Sequence, residues 1–115
     1  MHWSEPEARD FLAWIWRAGG SGTGREYVTA TDRMHPNNGA ESARRWLGSL
    51  GVAEPETCVT WTEEGKTETG RVIGVYRLRR DVMELMRYGL LTDPAWAIRA
   101  QRDAARRRGA TASLF

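Results

Sequence analysis

Cysteine is almost missing from this chain: Cys58 stands alone among 115 residues, so no intramolecular disulfide forms and the fold must be held by packing. That usage suits a reducing compartment, and a cytoplasmic location is the expectation. Histidine is nearly as scarce. His2 and His35 lie far apart in sequence, and neither falls in a Cys/His/Asp/Glu spacing that makes a zinc site, so no metal and no cofactor are expected. Long apolar runs are lacking too. None approaches the roughly 18 residues needed to cross a bilayer, and the opening MHWSEPEARD lacks the basic-then-apolar layout of a signal peptide. No membrane partner is expected. Lysine occurs once, as Lys66, among 17 basic residues.

Catalytic motifs are absent as well. The chain has no nucleophile elbow and no Ser/His/Asp motif, and a cysteine flanked by β-forming residues is more often a buried inert thiol than a nucleophile. The expectation is a protein that is not an enzyme and has no catalytic residues. The glycine-dense stretch from Gly19 to Gly24 could cradle a phosphate, but no Gly-Lys-Ser/Thr follows it and no strand is predicted before it. It reads as a flexible connector. No fixed-period repeat is present.

What the chain does contain is arginine and tryptophan. Arginine supplies 16 of the basic residues, a bias that suits phosphate and guanine recognition and that GC-rich codon usage also produces. Six tryptophans could stack on bases, but Trp14 and Trp46 sit beside apolar helical positions and read as core. Net charge is only +2, with a pI near 9.1, which permits nucleic-acid binding without arguing for it. The charge is uneven: residues 1 to 57 carry six arginines against eight acids, and residues 58 to 115 carry eleven basic residues against seven acids.

Local patterns predict a mostly α chain with a small β-hairpin. Ser4 and Glu7 form a capping-box pattern before a helix whose apolar face is Ala8, Phe11, Leu12, Ile15 and Ala18, with Trp3 placed to staple its start. After the glycine break, Tyr27 and Val28 favour extended backbone, and Thr29 is read as the cap of a short helix through Met34. His35 to Gly39 reads as a turn, because Pro36 disfavours helix at His35 and Asn and Gly suit turns. Ala40, Ala43, Trp46, Leu47 and Leu50 then recur at helical spacing, with Glu41, Ser42, Arg45 and Ser49 opposite and Arg44 at the border. Thr57 to Thr62 reads as a strand, Glu63 to Gly70 as a long hairpin tip, and Arg71 to Leu78 as the returning strand. A helix follows from Asp81, with Val82, Leu85, Met86 and Gly89 on one face. Asp93-Pro94 caps a last helix over Ala95 to Arg107.

The run VTATDRM, HPNNG, AESARRWLGSLG, CVTW and GRVIGVYRL resembles the winged helix-turn-helix family of DNA-binding domains found in small bacterial and phage regulators. The resemblance covers about the first two thirds of the chain. It departs from the usual pattern in lacking a Leu-Ala pair in the first helix of the motif and in its long, Asn- and Gly-rich turn. It implies a winged helix-turn-helix domain over residues 1 to 80, a helical extension over 81 to 108 that packs on it or pairs two subunits, and a frayed tail over 109 to 115. It also implies sequence-selective binding of double-stranded DNA, as by a small transcriptional regulator of phage, plasmid or bacterial type.

By the same resemblance Asn37, Asn38, Glu41, Ser42, Arg44 and Arg45 would meet the major groove, and Lys66, Thr67 and Arg71 the backbone or minor groove. Asn pairs bidentately with adenine and Arg with guanine, each good pair contributing about 1–3 kcal/mol of discrimination. Each of these residues also has an ordinary use as a turn former or solvated side chain. Arg99, Arg102, Arg106, Arg107 and Arg108 oppose only Asp103 and could grip phosphate, or simply complement the dipole of a helix end. Leu85, Met86, Leu90, Leu91, Trp96 and Ile98 offer apolar surface for a homodimer or for the core.

Two further readings stand beside this one. Glu63, Glu64 and Glu68 in the hairpin tip would repel phosphate and favour a protein-binding winged helix, such as a small phage inhibitor of a host complex. An adaptor in replication or packaging with weak, nonspecific DNA contact is the other.

Overall fold

The computed structural model describes residues 3 to 89. In this span the elements run α1 (Glu5–Arg17), β1 (Ser21–Thr23), α2 (Gly24–Thr31), α3 (Pro36–Ser49), a 3-10 turn (Pro55–Thr57), β2 (Val59–Lys66), β3 (Val72–Leu78) and α4 (Arg80–Arg87). The fold is α+β: helices packed against one small antiparallel sheet of strand order β1-β3-β2. No described helix is long and apolar enough to cross a membrane. The final helix, the basic tail and most of the apolar dimer candidates expected from the sequence lie outside the described residues.

Helix α1 starts where the sequence places it. Ser4 is extended, and its Oγ accepts from the amide of Glu7 at 3.3 Å, satisfying one donor of the first turn. The reciprocal half of the capping box is replaced by a tertiary contact: the Ser4 amide donates to Ser42 Oγ at 3.2 Å, which ties the start of α1 to α3. Ala8, Phe11, Leu12 and Ile15 are fully buried, whereas Ala18 is the exposed C-cap and Trp3 remains exposed. Each large apolar side chain buried in this way stabilises the fold by about 1.5–3 kcal/mol relative to exposure.

The glycine stretch is not a flexible connector. Ser21 to Thr23 form the edge strand β1, paired antiparallel to β3 with Gly22 opposite Tyr76. A side chain at Gly22 would place its Cβ 2.5 Å from the Trp14 ring, so only glycine lets this strand lie against α1.

The next helix begins earlier than the sequence reading has it. Thr23, not Thr29, is the cap: its Oγ1 accepts from the Glu26 amide at 3.1 Å and the Glu26 carboxylate accepts from the Thr23 amide at 3.1 Å, a complete capping box. Tyr27 is therefore helical rather than extended. Its ring is fully buried against Phe11 and Trp14, with centroids 5.3 Å away in each case. Thr29 lies exposed, bonded back to the Arg25 carbonyl.

Helix α3 also begins earlier, at Pro36 rather than Ala40. The ring that expels His35 from helical backbone also fixes φ of Pro36 near the helical value, and the N–H it lacks would be unpaired in the first turn anyway, so the proline opens α3. The turn between α2 and α3 is Asp32 to His35, with Asp32 in the left-handed region at φ 59°. Gly39 lies where α3 crosses the core; a Cβ there would meet Tyr27 Oη at 2.6 Å and Phe11 Cδ2 at 2.9 Å.

Phe11 is the centre of the core. Its ring also meets Trp14 and Tyr76 edge-on, with centroids 5.4 and 5.6 Å away, joining α1 to the sheet. Beyond α3, Cys58 is buried just before β2, and the hairpin runs longer than expected, closing only at Thr67 to Arg71. Helix α4 buries Val82 and Met86.

Candidate nucleic-acid interface

Two links set α3 beside the β2–β3 ribbon. The Tyr76 hydroxyl of β3 donates to Asn37 Oδ1 in the first turn of α3. Farther along the helix, Arg44 Nε and Nη2 donate to the Val59 carbonyl at the start of β2, at 3.0 and 2.8 Å. Helix and ribbon therefore form one surface.

The residues expected on this surface divide sharply. Asn38 is exposed at the start of α3, and Asn37 is exposed although its amide oxygen is engaged by Tyr76. Ser42 does not face outward: it is fully buried, because its small hydroxyl fits between α3 and the start of α1 and accepts there from Ser4. Arg44 is not a free surface arginine either. Besides holding Val59, it pairs through Nη1 with Glu41 Oε2 at 3.5 Å, and its side chain is three-quarters buried. Arg45 does face outward, about half exposed, with Nε donating to Glu41 Oε1 at 2.9 Å. Glu41 thus uses one oxygen for each arginine, and its charge is balanced twice over.

On the ribbon, Lys66 and Arg71 are exposed and form no ion pair among the described residues. Thr67 serves the turn itself, its amide donating to the Arg71 carbonyl and its Oγ1 accepting from the Arg71 amide, at 2.8 and 3.1 Å. A register irregularity between Glu63 and Gly65 bends β2 toward the tip. The acids of the ribbon are exposed, and Glu64 is engaged by Arg77 at 2.6 Å, which holds its carboxyl below the usual range.

Three residues escaped the sequence reading. Arg77 joins Thr62 and Glu64 across the outer face of the ribbon. Trp61 is half exposed, and its indole lies over Gly74, where an added Cβ would come within 2.4 Å of the ring carbons. Strand alternation puts Trp61 on the same side as buried Val59, but the ribbon extends past the core and leaves the ring in solvent. Arg79 pins α4 to the α3–β2 connection through the carbonyls of Ala53 and Glu54, Thr57 and Asp81.

The Cys58 thiol is buried, and that burial pushes its pKa up, away from the thiolate a nucleophile requires. Among the described residues no group of three or more His, Cys, Asp or Glu side chains could hold a metal ion. Comparison of the chain with protein-family models, with curated proteins and with solved structures finds no match.

Proposed function

We propose that this chain is a winged helix-turn-helix protein that binds double-stranded DNA selectively, as a small transcriptional regulator does, with α3 in the major groove and the β2–β3 ribbon along the flanking backbone. The observation that carries the proposal is the surface built by α3 and the ribbon: a 14-residue helix with exposed Asn38 and Arg45, locked to a long hairpin that presents Lys66 and Arg71. The element order supports it, since a helix and an edge strand precede a helix pair joined by a four-residue turn, and a two-stranded ribbon follows directly. A helix is about 10–12 Å across with its side chains, which matches a major groove about 12 Å wide. The proposal assigns a binding role and no catalytic one.

Exposed Glu63 and Glu68, which form no ion pair among the described residues, together with half-exposed Trp61, favour a second reading in which the same surface binds another protein. Replacing Arg45 by glutamate separates the two. Arg44, a structural tie, is unsuited to that test. Fluorescence anisotropy with pools of random and selected duplexes at two salt concentrations tests the first reading: retention at low salt with steep loss at high salt is expected. An absence of binding even at low salt would reject it.

A dimer through α4 gains nothing from Met86, whose side chain belongs to the core of its own chain.

A further inference from the structure

We infer that Arg45 reads a guanine in the bound duplex, and that Glu41, itself anchored by Arg44, presets the Arg45 guanidinium for that contact. The inference rests on the DNA-binding proposal and gives it a residue and a base.

Each joint of the relay has a bond on the page. The Val59 carbonyl at the start of β2 holds Arg44 Nε and Nη2; Arg44 Nη1 faces Glu41 Oε2; Glu41 Oε1 accepts from Arg45 Nε. All three nitrogens of Arg44 are thereby occupied, and Arg44 is a positioning residue. Arg45 differs. Only its Nε is engaged among the described residues, which leaves both Nη groups, the two outer prongs of the fork, without a partner among those residues on a half-exposed side chain.

Guanine presents O6 and N7 side by side in the major groove, and two adjacent Nη donors match them. An arginine held at Nε meets that edge having already lost much of its rotamer freedom, so the contact costs less ordering than it would from a freely moving side chain. A lone carboxylate at this place would repel phosphate. Glu41 does not stand alone, because each of its oxygens faces a guanidinium. Asn38, Glu41 and Arg45 follow one another at spacings of three and four, so they lie along one stripe of α3 beside the ribbon.

Selection of binding sites from randomised duplexes, repeated with wild type, Arg45→Ala, Arg45→Gln and Glu41→Gln, tests the inference, with thermal unfolding of each variant alongside. Wild type is expected to select guanine at one position. Arg45→Ala and Arg45→Gln are expected to lose roughly ten- to hundredfold preference at that position alone, leave the others intact and keep the slope of affinity against salt. Glu41→Gln is expected to weaken the same single preference without lowering the unfolding midpoint in proportion.

If both Arg45 variants bind DNA with an unchanged base profile, or weaken on every sequence equally with a lower salt slope, the inference is overturned and the DNA-binding proposal survives. An unchanged guanine preference in Glu41→Gln overturns the presetting role. Failure of the wild type to bind any duplex overturns both proposals together.

Discussion

Arg44 and Val59, fifteen residues apart in sequence, are joined by two hydrogen bonds from one guanidinium to one carbonyl oxygen. This pair of bonds ties α3 to β2. It also explains why two adjacent arginines have different fates: Arg44 is consumed by the fold, and Arg45, one helical step of about 100° away, is left to the surface.

Arg44→Ala removes the side chain bonded twice to the Val59 carbonyl, and unfolding in urea is expected to show a loss of about 1–3 kcal/mol. Arg44→Lys is expected to recover little of it, because an ammonium lacks the planar fork. Full stability in Arg44→Ala would mean that packing alone joins α3 to β2.

The start of α2 offers a comparison of two threonines. Thr23→Ala deletes the cap and is expected to cost about 1 kcal/mol. Thr29→Ala, at an exposed residue inside the helix, is expected to fall within about 0.5 kcal/mol of the wild type. Thermal unfolding midpoints decide it, and the reverse order would move the start of the helix to Thr29.

Gly39→Ala sets two effects against each other. Alanine favours helix over glycine by about 1 kcal/mol, but overpacking a core costs about 1–3 kcal/mol. Here the new Cβ would meet Tyr27 Oη and Phe11 Cδ2 within 3 Å, inside the aromatic cluster, so a net loss is expected. Gly48→Ala, in the same helix, meets only Pro55 among the described residues, at 3.2 Å, and is expected to be the milder change in a denaturant titration.

Asp81 links pH to stability. Burial pushes its carboxyl up, but the hydrogen bonds from Arg79, the Arg79 charge and the Val82 amide outweigh that and hold it below its ordinary value of 3.8. Because the folded pKa is the lower one, ionised Asp81 stabilises the fold above the unfolded value, and that contribution disappears as pH falls through the folded value. Asp81→Asn is therefore expected to be less stable than wild type at neutral pH, by about 0.5–1 kcal/mol for so exposed a carboxylate, and the two should converge in strong acid. A gap that persists below about pH 2 would show that the loss is steric rather than ionic.

Periodicity made the faces of the helices legible. Phe11, Leu12, Ile15, Ala43, Trp46 and Leu47 are buried where the spacing puts them, and Cys58 is buried as its neighbours suggest. The starts of α2 and α3 were less legible because their signals have two meanings: Thr29 and Thr23 are equally good caps by type, and Pro36 both ends and begins helices. The strand β1 had little local signal. Thr23 favours strand but Gly22 does not, and this three-residue segment is held extended by pairing with β3, with Gly22 close against Trp14.

What the chain determined by itself is the set of amphipathic segments, the polar ribbon and the cap of α1, since each depends on neighbours within a few residues. Tertiary contact alone decided that Ser42 would be hidden against Ser4, that Arg44 would be spent on Val59 and that Trp61 would project beyond the core. A helix presents a face over 100° wide whatever surrounds it, and only the elements that dock on it determine which residues at the border of that face are covered.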